Sequence, residues 1–378
     1  MIASAAFFEA LMMSIILSRR QALAASGALA STLVSNELQA QSGTDDAARA
    51  RVKNLLKTLD IKVPIFQAPF GGATTPALAA SIANAGGLGG LSITFRSAEE
   101  TAAAIKATLA MTSAPFVVNV VLTHFEPRNV LIALDAGAKL ISFSVGRPDQ
   151  ALVRRVMEAG ARFMCQAGTL DAAQRAFDLG AIAVIAQGME AGGHHEGSTP
   201  RRQLLDMIVE KLPAALIVTA GGISSSDDIL ADLRAGAAGV TIGTPLLATP
   251  QANVHPVWQE AIIQADENST AVTSCFSDGW DQVHRVLRNA TLTDWESAGM
   301  PRGDKRPGAG DIIATNGQGA PVRRYHFGSP GRKITGQVSE LPLYAGKSAV
   351  SVKTVRDAAE VLKAYWNPAG SKLGLDLA

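Results

Sequence analysis

His194 is the side chain in this sequence best suited to proton chemistry, and it ends the run Ala186–Gly193, which reads AQGMEAGG. An imidazole titrates nearest neutral pH of all side chains, so it can take or give a proton under ordinary conditions. Gly188, Gly192 and Gly193 precede it. They let the backbone bend sharply and let a flat molecule come close. The apolar run Ala181-Ile182-Ala183-Val184-Ile185 leads into this loop and reads as a buried strand. A strand tip that opens into a glycine loop ending in histidine suits an active site built around a planar cofactor. Glu190, inside the loop, reads either as a residue that orients it or as an exposed charge.

Such a loop needs a rigid frame, and the chain repeats one. Apolar β-type runs fall at Val63–Phe70, Gly87–Ile93, Pro115–Leu122, Leu140–Gly146, Arg162–Gly168, Ala181–Gln187, Ala215–Gly222 and Gly239–Pro245. They are apolar nearly throughout, as strands covered on both faces should be. Helical runs alternate with them at Pro76–Ala85, Ala98–Leu109, Asn129–Ala136, Gln150–Ala159, Leu170–Leu179, Arg201–Leu212 and Ser226–Ala235. Gly86, Gly137, Gly160, Gly180 and Gly236 follow five of these as helix stops. Eight βα units predict an α/β fold, a (β/α)8 TIM barrel; a doubly wound open sheet is the alternative, because periodicity does not reveal closure.

In a barrel, function sits in the loops after the strand ends. Those loops hold Gln67 and Phe70, Ser92, Asn119 and His124, then His194. The last two runs end in Gly221-Gly222 and Gly243-Thr244. Glycine-rich ends on that pair of strands are where this fold commonly grips a phosphate through backbone N–H groups. His195 reads as a solvent-facing neighbour, and His255, His284 and His326 as structural residues.

Composition narrows the function. Net charge is +1 and aromatic content 5%, which gives neither the field nor the stacking platform that nucleic-acid binding uses. Cys165 and Cys275 are the only cysteines. They cannot build a disulfide framework or a zinc site, no metal is expected, and they read as buried thiols, with one bridge open if the protein is exported. No stretch after residue 40 is long and apolar enough to span a membrane.

The first 40 residues read as a secretory signal. Arg19-Arg20 is followed by a small-residue apolar run, Ala22–Val34, and by Leu38-Gln39-Ala40 as a cleavage site. The arginine pair resembles the twin-arginine type, with Ala22 where Phe is common and Met13 as the more natural start. Periplasmic export of the folded protein is the expectation; a frayed amphipathic helix and a cytoplasmic location are the alternative.

The chain resembles the nitronate monooxygenases, formerly 2-nitropropane dioxygenases, from about Lys62 onward. The resemblance rests on Pro64–Pro69, Asn84–Gly89, Pro115–Asn119, Ala186–His194, Ala220–Ile223, Gly239–Thr244 and Leu343–Ser348. It implies an FMN-dependent (β/α)8 enzyme that oxidises alkyl nitronates with O2 to a carbonyl compound and nitrite. It implies that Gln67, Asn119, Gln187, Gly188 and Gly193 lie against the flavin and that Gly221, Gly222, Gly243 and Thr244 hold its phosphate. Tyr344, Gly346, Lys347 and Ser348 would fold back over the ring, and His194 would face the substrate. Phe70, His124 and Ser144 would line the substrate pocket. The chain departs from relatives at Ser142-Phe143-Ser144-Val145-Gly146, where many carry a histidine, at Gly243-Thr244-Pro245-Leu246, and at Phe70, where Met is common.

These readings divide the chain into a signal at 1–40, an FMN barrel at 41–268, a cap subdomain inserted at 269–341, and a flavin-covering loop and helix at 342–378, with a final helix at Val355–Tyr365. The partners expected are a small-molecule substrate and O2, and a homodimer stays open. Two other functions compete: an FMN-dependent NAD(P)H reductase acting on enoyl-acyl carrier protein or quinones, and a flavin-binding protein without turnover.

Overall fold

In the computed structural model, residues 43–124 and 127–376 are described. The signal read over residues 1–40 lies outside them. In chain order the first nine strands are β1 (Ile65–Gln67), β2 (Gly89–Ser92), β3 (Phe116–Val121), β4 (Leu140–Ser144), β5 (Arg162–Ala167), β6 (Val184–Gln187), β7 (Gly193–His194), β8 (Ile217–Ala220) and β9 (Gly239–Ile242). All but β7 form one parallel eight-stranded sheet, in the order β1-β9-β8-β6-β5-β4-β3-β2. The two ends of that order meet where Leu88 bridges Phe66 in parallel. Leu88 donates its N–H to Ile65 and accepts from Gln67, both at 2.9 Å. The sheet therefore closes, and the (β/α)8 barrel replaces the open-sheet alternative.

The continuous apolar character of the strands has a direct cause. Ile65, Val118, Ile141, Phe163, Val184, Ile217 and Val240 pack outward in one core with the helices. Their neighbours Phe66, Val117, Leu140, Met164, Ile185 and Val218 pack in a second core, the barrel interior. Side chains alternate along a strand, and here both faces are dry. Leu55 and Leu59, from the helix that runs to residue 59, join the inner core with Leu140, Ala183 and Ala238, at or just before strand starts. That helix plugs the barrel floor and leaves the C-terminal mouth free.

The helices begin and end as the sequence indicates. Thr75, Ser97, Asp149, Thr169 and Ser225 cap their helices with side-chain oxygens, each contributing about 1 kcal/mol. The five predicted stop glycines all take positive φ. The final helix differs from expectation. It starts at Ala358 behind the Asp357 cap and runs to Lys372, with Pro368 inside it. Burial of Trp366, Ala369 and Gly370 carries it past the proline, whose missing N–H would otherwise favour a stop.

Beyond the barrel, β10 (Thr270–Thr273) and β11 (His284–Leu287) make an antiparallel sheet with β7, and β12 (Ile312–Thr315), β13 (Pro321–Arg323) and β14 (Thr335–Gly336) make another. The glycine–histidine loop is thus a strand of the first of these sheets. The returning segment pairs on it as well, with Val286 opposite Tyr344. No helix among the described residues is long and apolar enough to cross a membrane.

Candidate active site

A cavity of about 460 Å³ opens at the C-terminal end of the barrel strands. Gln67, Phe70, Asn119, Ser144, Gln187, Gly193, His194, Gly221, Gly222, Gly243, Thr244, Tyr344, Gly346 and Ser348 line it. Among its described lining residues there is no Asp, Glu, Lys or Arg. A ligand there meets backbone groups, amides, hydroxyls, aromatic rings and two imidazoles, His194 and His326.

His194 is held by stacking. Its ring lies flat on Trp280, with centroids 3.7 Å apart and planes 9° apart, and 5.3 Å from the Tyr344 ring. Trp280 is fixed in turn, its indole N–H donating to Gln282 Oε1 at 3.0 Å while Gln282 Nε2 donates to the His195 carbonyl at 2.5 Å. The Nε2 of His194 is buried and has no hydrogen-bond partner. Burial pushes this imidazole down to about 3, helped by His284, His124 and His195. The ring is neutral at pH 7, with an unspent nitrogen.

The amides that line the barrel mouth are largely occupied. Gln67 pairs both ways with the Gly90 backbone, donating at 2.7 Å and accepting at 3.0 Å. Gln187 donates to the His194 carbonyl at 3.0 Å and accepts from the Glu196 N–H at 2.9 Å. Its amide therefore clamps the histidine loop. Asn119 Nδ2 donates to the Ser142 carbonyl and to Ser144 Oγ, each at 3.2 Å.

The glycine clusters behave as a cradle. Gly221 and Gly222 take φ of 108° and 67°, which only glycine adopts without strain. Arg201 braces them: its guanidinium donates to the Gly221 carbonyl at 2.5 Å and pairs with buried Asp232 at 3.0 Å. Asp232 also accepts from Thr219 Oγ1 at 2.6 Å, and Glu190 accepts from the Arg201 N–H at 2.9 Å. Glu190 thus orients the loop. Across the cradle, Thr244 Oγ1 accepts from the Gly346 N–H at 2.9 Å and ties the returning loop to β9.

Five sequence expectations need correction. Gly188 does not reach the cavity, because it packs against the Arg201 backbone, where an added Cβ would sit 2.4 Å away. Lys347 is exposed, and only its backbone N–H engages the loop, donating to the Glu190 carbonyl at 3.0 Å. His124 is a strut behind the wall: its ring is 4.7 Å from Trp280, and its Nε2 donates to the Gly279 carbonyl at 3.1 Å. His195 is buried, its Nε2 donating to the Ala191 carbonyl at 2.8 Å, because the β7–β11 sheet folds over it. His326, read as structural, lines the cavity. Cys165 and Cys275 are free buried thiols pushed up to about 12 by burial.

Sequence reasoning missed Glu196. It is a buried carboxyl pushed up to about 7 by burial. One oxygen accepts from the Val145 N–H at 2.7 Å and from Gln166 Nε2 at 2.8 Å. Val145 sits at φ 50°, a costly conformation for a β-branched residue. Trp280 and Phe327 were also missed, since nothing local ties them to a barrel some hundred residues earlier.

A profile of the nitronate monooxygenase family matches residues 53–129 and 124–306. The chain is 31% identical over 291 residues to the nitronate monooxygenase of Pseudomonas aeruginosa, covering 65% of this chain and 82% of that protein. Its fold is similar to that of the nitroalkane oxidase of Streptomyces ansochromogenes, with a TM-score of 0.67, 27% identity, and coverage of 84% and 99%. It is also similar to FabK from Thermotoga maritima, with a TM-score of 0.69, 24% identity, and coverage of 85% and 97%. A barrel closed through Leu88, an uncharged cavity at its mouth and a bare imidazole nitrogen on the EAGGH loop agree with these matches: the chain is an enzyme, an oxidoreductase, and belongs to the nitronate monooxygenase family.

Proposed function

We propose that this enzyme holds FMN in the cavity and oxidises alkyl nitronates with O2 to a carbonyl compound and nitrite. The observation that carries the reading is the His194 Nε2, buried at the cavity wall without a partner. A buried nitrogen of this kind costs free energy unless a ligand or substrate engages it.

The residues fit the cofactor. Gly221, Gly222 and Gly243 would receive its phosphate on backbone N–H groups, with the Thr244 hydroxyl beside them. The part of the cavity lined by the uncharged amides of Gln67, Asn119 and Gln187 suits an aromatic ring system. Bound FMN would supply the electron-accepting step that the side chains cannot.

The protein's own contribution is proton handling and exclusion of water. With its proton on Nδ1, the neutral His194 presents a bare Nε2 that takes the α-proton of a nitroalkane. The imidazolium so formed faces the nitronate it has made and stabilises it. Gln187 keeps the ring's backbone in register, and Trp280 shields one face of the imidazole from solvent.

The test is direct. Purified protein should be yellow, consume oxygen and release nitrite with alkyl nitronates. Flavin-loaded protein inert toward every nitronate would overturn the activity. The competing NAD(P)H reductase is the second preference: it would have to hold a second set of phosphates besides the one on Gly221, Gly222 and Gly243, and among the described lining residues there is no Lys or Arg to receive them. Rapid anaerobic reduction by NADH or NADPH would reverse that preference.

Export by the twin-arginine route belongs to the same proposal and rests on Arg19-Arg20 and the run that follows. Cell fractionation should find the wild type in the periplasm and an Arg19→Lys/Arg20→Lys variant in the cytoplasm.

A further inference from the structure

From the geometry of the cavity mouth we infer an aromatic subsite that receives an uncharged planar ring carried next to the reacting carbon of the substrate. The inference rests on the nitronate reading above and names the class of nitronate: aryl-substituted rather than short alkyl.

The subsite starts at the imidazole itself. Trp280 stacks on His194, and Phe327 meets Trp280 edge-on with centroids 5.9 Å apart. Phe95, which follows β2, closes the set at 5.5 Å from Phe327 and 6.3 Å from Trp280, tilted by 48° and 58°. Phe95, Trp280 and Phe327 all line the cavity. A group attached to the carbon that meets His194 Nε2 therefore has this wall beside it.

The wall is incomplete as it stands. Phe95 keeps 49% of its surface exposed despite its ring neighbours, and exposed aromatic surface gains free energy when covered. The rings are tilted or edge-on, the arrangement that welcomes a further planar ring through face-to-edge contacts. A puckered or short aliphatic group offers area but no matching quadrupole.

Charge sets the remaining limit. Among the described residues that line the cavity there is no Asp, Glu, Lys or Arg. His124, behind Trp280, uses its Nε2 proton on the Gly279 carbonyl at 3.1 Å and offers none to the cavity. An ionised substituent on the substrate ring would be desolvated with no partner.

The position in the barrel also fits. Counting round the closed eight-strand order, β3 lies four strands from β8 in either direction. The His124–Trp280 corner after β3 is therefore diametrically across the mouth from the Gly221-Gly222 cradle, leaving the phosphate end and the ring end apart.

The experiment compares kcat/KM for the nitronates of phenylnitromethane, cyclohexylnitromethane and nitroethane on the flavin-loaded enzyme, beside calorimetric binding of benzaldehyde and cyclohexanecarbaldehyde. The phenyl compound should exceed the cyclohexyl compound by roughly tenfold, and Phe95→Leu and Phe327→Leu should each cut the ratio severalfold. Equal kcat/KM for all three nitronates, with equal binding of the two aldehydes, would overturn the subsite alone. No turnover of any nitronate, with benzaldehyde still preferred and that preference lost in Phe95→Leu, would keep the subsite and reject the nitronate reading. Circular dichroism of both variants separates a lost ring from a lost fold.

Discussion

His284 faces His194 across the antiparallel β11–β7 pair, with ring centroids 5.3 Å apart. Both carry a buried Nε2 without a partner, and His284 spends its Nδ1 proton on the Gln282 carbonyl at 2.8 Å. Burial holds His284 at about 4 and His194 at about 3. Burial is the main reason both rings are neutral; a charge on His284 would further oppose one on His194, while the neighbour that opposes a charge on His284 is His195.

This pair makes folding sensitive to acid. The folded values lie below the usual histidine value of about 6.5, so between that value and about 3 the unfolded chain binds protons that the folded chain refuses. The pair's contribution is therefore full above pH 6.5 and is lost as pH drops through that window, by up to about 1.4 kcal/mol per pH unit for each ring. Urea unfolding between pH 7 and 4 should show this slope, and His284→Phe should reduce it. An unchanged slope in the variant would mean the pair is not responsible. In turnover, the acidic limb of the kcat/KM profile for a nitroalkane should move upward in His284→Phe, because one source of His194's depression is gone.

Glu196 gives the opposite dependence. Its folded value, about 7, lies above the unfolded value of about 4.3, so the folded state binds the extra proton between them. Its contribution weakens as pH rises through that range. Glu196→Gln keeps an acceptor for Val145 and Gln166 while removing the charge. The variant should match wild type below about pH 4 and gain on it by a few kcal/mol at most by pH 8. Glu196→Leu leaves the Val145 N–H and Gln166 without their acceptor and should cost about 1–3 kcal/mol at pH 6. Chemical denaturation of both variants at two pH values reads this out.

Gly192 and Gly346 let two loops meet backbone to backbone. A Cβ on Gly192 would lie 2.5 Å from the Gly346 N, and one on Gly346 would lie 2.8 Å from the Glu190 O. Gly192→Ala should push the Tyr344 segment off the cavity. The expected result is flavin retention weaker by at least about tenfold, equivalent to about 1.4 kcal/mol, measured as the flavin-to-protein ratio after dialysis. Gly43→Ala, with nothing near its Cβ, is the control and should retain flavin normally.

Asp232 is 2% exposed and supports Arg201, which supports Gly221. Removing one partner of a buried pair leaves the other charge uncompensated, at a cost of about 3–5 kcal/mol. Asp232→Ala should show that loss in chemical denaturation and should weaken FMN binding through the loosened cradle. Arg201→Met/Asp232→Leu removes both charges and should recover most of the stability but not the flavin affinity. Full recovery of both would show that the ion pair has no positioning role.

The barrel was legible in the sequence because its determinants are local or periodic. Strand faces buried on both sides give continuous apolar runs, and five helix ends require glycine at positive φ wherever the chain turns back. The EAGGH loop and the two glycine clusters were legible for the same reason, since glycine spacing and a histidine are visible one residue at a time. What only the tertiary structure decided is what surrounds His194. Trp280 stacked on it and His284 opposite it come from a segment brought there by β11 pairing with β7, and Glu196 meets Val145 and Gln166 only because β4 and β5 end beside it. His195 looked exposed and His124 looked like a pocket residue because burial and facing are set by contacts with distant segments. The protonation of the central imidazole is set by desolvation and neighbouring rings, which are quantities of space rather than of sequence.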